Sequence, residues 1–166
     1  RVCGHLWGRG IGLGVVLGAK LAGAKQIIGI DLHDQKLSKA AEYGLTHQIN
    51  ASRENAADRI KEILGGLADV TIDGTGNPKV IETAYDLAKL RGGRCVLFGV
   101  MPSNQRVSIH TLPLHFGRVL TGSEGGQSRP EIDIPQILGR LDAAKLDVSG
   151  FVSHRGLLGD LSDVID

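Results

Sequence analysis

Gly8-Arg9-Gly10-Ile11-Gly12-Leu13-Gly14 follows one apolar run and opens a helical pattern, and Ile28-Gly29-Ile30-Asp31 closes the next apolar run. A helix that starts directly behind a strand offers unpaired N–H groups and the positive end of its dipole to a phosphate, and glycines let the ligand reach the backbone. Asp31 stands nineteen residues beyond Gly12. A carboxylate at the end of a second strand can accept both hydroxyls of an adenosine ribose, and it repels a ribose 2′-phosphate. The pair of features reads as a dinucleotide site, with NAD(H) favoured over NADP(H). Behind the loop, Gly14, Gly18 and Ala22 stand four apart. They form a smooth strip expected to let the helix pack closely on a sheet.

Outward from this stretch, short apolar runs alternate with amphipathic ones. Strands are expected at Val2–Trp7, Gln26–Asp31, His47–Asn50, Ala68–Asp73, Arg94–Gly99 and Arg118–Ser123. Near-continuous apolar runs such as Cys95-Val96-Leu97-Phe98 suit parallel strands covered on both faces. Ile60, Ile63, Leu64 and Leu67 make one helical stripe within Arg53–Leu64. In Pro78–Lys89, Asn77 is the expected N-cap, with Val80, Ile81, Ala84, Leu87 and Ala88 as the buried face. A third helix, Ile132–Lys145, carries Pro135, which a helix tolerates only in its first turn. Alternating β and α of these lengths implies right-handed crossovers and an α/β, doubly wound, six-stranded parallel sheet. A short strand is expected at Arg106–His110, another at Phe151–Ser153, and an incomplete helix at Gly159–Asp166.

Composition narrows the function classes. The 166 residues suit one domain, and 19 Lys+Arg against 18 Asp+Glu leave a net charge of +1, far from the balance of a nucleic-acid domain. No apolar stretch approaches a membrane span and no signal peptide opens the chain, so a cytoplasmic protein is expected. The chain opens on Arg1 and its one Met is Met101, so it is expected to be trimmed or excised from something longer. Cys3 and Cys95 cannot build a four-cysteine zinc site and read as buried thiols. The six histidines show no ligand spacing, no metal site is expected here, and no catalytic nucleophile–base pair is readable.

The loop by itself leaves the cofactor open. Leu13 stands where a third glycine would complete G-x-G-x-x-G counted from Gly8. Counted as G-x-G-x-G, the loop resembles S-adenosylmethionine-dependent methyltransferases. Other segments separate the two. Ile11–Val16 through Ala22-Gly23-Ala24 and Asp31, then Asp73-Gly74-Thr75-Gly76-Asn77, Gly92–Val100, Thr121–Gly126 with Asp133-Ile134-Pro135, and Phe151–Arg155 follow in order. Across essentially the whole chain they resemble the coenzyme domain of zinc-type medium-chain alcohol dehydrogenases.

That resemblance implies a Rossmann sheet with strand order 3-2-1-4-5-6 over residues 1–150, and a segment 151–166 leading back toward a catalytic domain. It implies an oxidoreductase that moves hydride between an alcohol or carbonyl substrate and NAD, with zinc only in that other domain. Gly10 and Ile11 would present N–H groups to the pyrophosphate, beside Gly12. Asp31 would hold the adenine ribose with Lys36 alongside. Gly74 and Thr75 would line the adenosine side of the cleft, and Phe98, Gly99 and Val100 the nicotinamide ribose. Aligned without gaps, Trp7 and Arg9 stand where the family's first two glycines belong. Either Gly8 and Gly10 serve in a shifted register, or residues 2–9 are locally aberrant. A homo-oligomer built through the sheet edge is the family expectation for partners, with a non-catalytic dinucleotide-binding or dimerisation module as the alternative function.

Overall fold

Every residue of Ile27–Asp31 is buried, as a strand covered on both faces requires. This strand, β2, lies in a six-stranded sheet of order β3-β2-β1-β4-β5-β6. The others are β1 (Val2–His5), β3 (His47–Asn50), β4 (Val70–Asp73), β5 (Arg94–Leu97) and β6 (Val119–Gly122). All neighbouring pairs run parallel. The computed structural model describes residues 2–5, 10–152, 155–157 and 159, and of β1 the backbone alone. Leu6, Trp7, Gly8, Arg9 and most of the expected Gly159–Asp166 helix therefore lie outside the described residues.

The helices are α1 (Ile11–Leu21), α2 (Asp34–Glu42), α3 (Ala56–Leu64), α4 (Pro78–Leu87), α5 (Leu112–His115) and α6 (Pro130–Ala143). Successive residues of β2 point to opposite faces. Ile27 joins Leu13, Val16, Leu37 and Ala40 of α1 and α2, while Ile28 and Ile30 join Ile49, Ile60 and Leu64 on the α3 side. Each fully buried aliphatic side chain of this kind stabilises the fold by about 1.5–3 kcal/mol. Asn55 caps α3 by accepting the Ala57 and Asp58 N–H groups at 2.9 and 3.2 Å, and Gly65 ends it in the left-handed region at φ +62°. Asn77 caps α4 through the Lys79 N–H at 3.0 Å, with Pro78 in the first turn.

Four expectations need correction. The segment Arg106–His110 forms no strand. Its backbone is claimed by α4 side chains instead: Ser108 N–H donates to Glu82 at 2.7 Å, and the fully buried Tyr85 hydroxyl donates to the His110 carbonyl at 2.9 Å. Helix α6 starts at Pro130, before the expected boundary, so Pro135 lies in its interior. Pro130 supplies the fixed φ of a first turn and Asp133 accepts the Arg129 N–H at 2.7 Å, which sets the earlier start. The Gly14–Gly18–Ala22 strip faces solvent, because Leu13, Val16 and Leu17 occupy the sheet side of α1. Finally, Ser149–Phe151 is a 3₁₀ turn, not the start of a strand, and Phe151 packs edge-on against Tyr43 at 4.9 Å.

Candidate dinucleotide site

Parallel strands bring all their C-terminal ends to one edge, and ligands settle there where the strand order reverses. In this sheet β1 separates β2 from β4, so α1, which follows β1, starts between the ends of those two strands. The N–H groups of Ile11, Gly12 and Leu13 precede the first helical bond, from Gly14 N–H to the Gly10 carbonyl at 3.0 Å. Gly10, the N-cap, has no side-chain cap, and a Cβ there would meet open space. Ile11 is exposed and Gly12 buried. Of the loop residues expected to hold a pyrophosphate, Gly8 lies outside the described residues.

Asp31 ends β2 with only 6% of its surface exposed. One carboxylate oxygen, Oδ1, accepts the His33 N–H at 3.0 Å. The other, Oδ2, is buried with no hydrogen-bond donor, and Lys36 Nζ stands 3.7 Å away. A buried carboxylate oxygen left without a donor is costly unless a ligand supplies one. Two ribose hydroxyls are donors of the right kind, and the adjoining N–H groups of α1 suit a diphosphate, so the residues present fit a dinucleotide.

The far wall is built by the ends of β4 and β5. Asp73 is fully buried, and its carboxylate accepts the Thr75 N–H at 3.1 Å, the Thr75 hydroxyl at 2.8 Å and the Gly76 N–H at 3.1 Å. The Asp73 carbonyl accepts the Phe98 and Gly99 N–H groups at 2.9 and 3.2 Å. The Phe98 ring lies directly on Gly74, and Gly99 lies against the Gly74 backbone, both closer than any Cβ allows. Thus Gly74, Thr75, Phe98 and Gly99 are brought together as one wall, while Val100 is almost wholly exposed at its rim.

A third group beside Asp31 carries no sequence motif. Asn50 ends β3 in register with Asp31 and is 8% exposed. Its side-chain oxygen Oδ1 accepts the Ser52 N–H and hydroxyl at 3.0 and 2.6 Å, and its side-chain Nδ2 donates to Asp34 Oδ1 at 2.8 Å. Arg53 pairs with the same Asp34 oxygen. The Asn50 amide first, and Arg53 with it, holds the Asp34 carboxyl below the ordinary carboxylate range. The signal in the sequence was the polar run Ser52-Arg53-Glu54-Asn55 just past the end of β3.

Among the described residues no group of three or more His, Cys, Asp and Glu side chains is placed to hold a metal ion. They do not fit a zinc site. Cys95 is buried, and burial pushes its thiol up, away from ionisation. Among them, too, no helix is long and apolar enough to cross a membrane.

The chain resembles known proteins over most of its length. Residues 10–142 match the family described as zinc-binding dehydrogenases. The chain is 35% identical over 165 residues to S-(hydroxymethyl)glutathione dehydrogenase of Paracoccus denitrificans, covering 95% of this chain and 44% of that protein. It is 34% identical over 154 residues to alcohol dehydrogenase class-3 of Cereibacter sphaeroides, covering 87% of this chain and 41% of the relative. Among solved structures, an alcohol dehydrogenase zinc-binding domain protein from Burkholderia ambifaria superposes with a TM-score of 0.85 at 27% identity, over 99% of this chain and 44% of that one. A Sinorhizobium meliloti protein described as a zinc-binding dehydrogenase, solved with NADP bound, gives 0.82 at 26% identity over 99% and 47%. The chain thus spans less than half the length of these relatives.

Proposed function

The chain belongs to the zinc-binding dehydrogenase family, and from that premise we propose that it is the NAD(H)-binding part of an alcohol dehydrogenase-like oxidoreductase. The observation that carries the cofactor assignment is Asp31 Oδ2, buried and without a donor at the end of β2. The names of relatives such as alcohol dehydrogenase class-3 support the reaction class. A doubly wound sheet in the order 3-2-1-4-5-6 is the frame the reading uses.

A bound nicotinamide would accept a hydride from an alcohol substrate or return one to the corresponding carbonyl. The residues of this chain position it. Asp31 takes the adenosine ribose hydroxyls, with Lys36 offsetting its charge. The first-turn N–H groups at Ile11 and Gly12 receive the diphosphate, with no side chain at Gly10 to obstruct it. Gly74, Thr75, Phe98, Gly99 and Val100 hold the opposite wall along the rest of the coenzyme. Zinc, in this reading, belongs to a catalytic domain outside residues 1–166. No proton or hydride step is assigned to a side chain of this chain. Residues 151–166 serve as the return toward that domain, and the free edge of β6 pairs with a second copy.

Titrating the 166-residue chain with NADH, followed by nicotinamide fluorescence and by melting temperature, tests the proposal. Binding at 100 times the dissociation constant stabilises a folded chain by about 2.7 kcal/mol. No change in either signal at millimolar NADH contradicts it. Asp31→Ala is expected to weaken NADH and to reduce discrimination against NADPH, and an unchanged preference removes Asp31 from its role.

A further inference from the structure

We propose that Asp34 is a second determinant of coenzyme choice, acting by pulling Arg53 away from the ribose 2′ position. This rests on the dinucleotide reading above. The C-terminal rim beside Asp31 carries several groups that favour a phosphate: the N-terminal end of α2, the Lys36 ammonium 3.7 Å from Asp31, and the Arg53 guanidinium. Left free, Arg53 would offer the planar fork that suits a phosphate monoester. It is not free. Asp34, the first residue of α2, pairs with it.

The pairing is built from below. Ser52 donates both its N–H and its hydroxyl to Asn50 Oδ1, so the side-chain NH2 of Asn50 must face the other way, where it donates to Asp34 at 2.8 Å. Asn50 itself is buried and stands in register with Asp31. Strand register thus fixes Asn50, Asn50 fixes Asp34, and Asp34 takes the charge of Arg53. Asp34 also adds a second carboxylate beside Asp31, on the helix end that would otherwise attract a 2′-phosphate. The pair Asp34 and Arg53 therefore works for NAD(H) twice, by repulsion and by removing a cation.

The test measures dissociation constants for NADH and NADPH on the 166-residue chain and on Asp34→Asn, Arg53→Gln and the double variant, at low and at high salt. Circular dichroism checks that each variant folds, which the exposed position of both side chains favours. Asp34→Asn is expected to lower the NADPH-to-NADH ratio of dissociation constants by about fivefold, the scale of an exposed charge pair redirected to a phosphate. Arg53→Gln added to it is expected to take back most of the gain, leaving the smaller part due to the lost repulsion, Asp34→Glu to keep the wild-type ratio, and high salt to shrink the effect. A ratio that ignores Asp34→Asn, or a gain that Arg53→Gln leaves undiminished, overturns the inference while NADH binding by the wild-type chain leaves the dinucleotide reading standing. Failure of the wild-type chain to bind either coenzyme overturns both.

Discussion

Two oxygens of one carboxylate behave differently at the end of β2: Asp31 Oδ1 takes the His33 N–H, and Oδ2 is sealed in without a donor. A hydrogen bond to a charged group is worth about 1.5–3 kcal/mol, so Asp31→Ala should raise the NADH dissociation constant by about ten- to a hundredfold, as calorimetric titration would read. Asp73 is the opposite case, with every contact internal. Asp73→Ala strands three donors from Thr75 and Gly76 and is expected to cost about 2–4 kcal/mol in denaturant unfolding. Its thiol neighbour Cys95 has a raised pKa from burial. Its contribution to stability is therefore complete below the unfolded thiol value and lost as pH rises through the folded one. With Cys3 changed to Ser, alkylation at pH 8 should be slow until denaturant opens the sheet. Asp31 was legible because a carboxylate ending an apolar run needs no knowledge of its neighbours. Asp34, Asn50 and Arg53 were not, because their link across β2 and β3 exists only once the register Asp31 to Asn50 is set.

Among the elements, the wall formed where β4 and β5 end depends on absent side chains. Phe98 sits on Gly74 and Gly99 on the Gly74 backbone. Gly99→Ala must push these two turns apart, and it is expected to weaken NADH more than it lowers the melting temperature, because the wall is a surface of the cleft. Comparing the titration with the thermal melt separates the two effects. Helix α4 ties down the irregular segment that follows β5. Tyr85→Phe removes the donor to the His110 carbonyl and is expected to cost about 1 kcal/mol in unfolding. The turn Asp73-Gly74-Thr75-Gly76-Asn77 could be located from its letters. The fate of Arg106–His110 could not, since its alternation suits a strand and only the α4 side chains take its backbone groups away. Pro135 misled in the same manner: a start signal five residues earlier, Pro130 with Asp133 reaching back, outweighed one missing N–H in an exposed helix.

For the whole molecule, the order of elements follows from alternation, and the sheet sorts its apolar side chains into an α1–α2 face and an α3–α4 face. Solvent-exposed apolar groups remain on one flank, where Leu112, Leu114 and Phe116 precede the edge strand β6. An unpaired parallel edge with apolar neighbours invites a second strand. The Val119 and Ser123 N–H groups donate toward β5, so alternation turns the Gly122 N–H to the outer edge; sedimentation of the chain is expected to show self-association that Gly122→Pro abolishes, and a monomer at all concentrations contradicts pairing through β6. The measurement closest to the central claim is a calorimetric titration of NADH into the wild-type chain and into Asp31→Ala. Saturable binding in the first, weakened at least tenfold in the second, is the expected result. Equal affinity in both, or none in the wild type, would show that the buried carboxylate of β2 does not hold a coenzyme ribose.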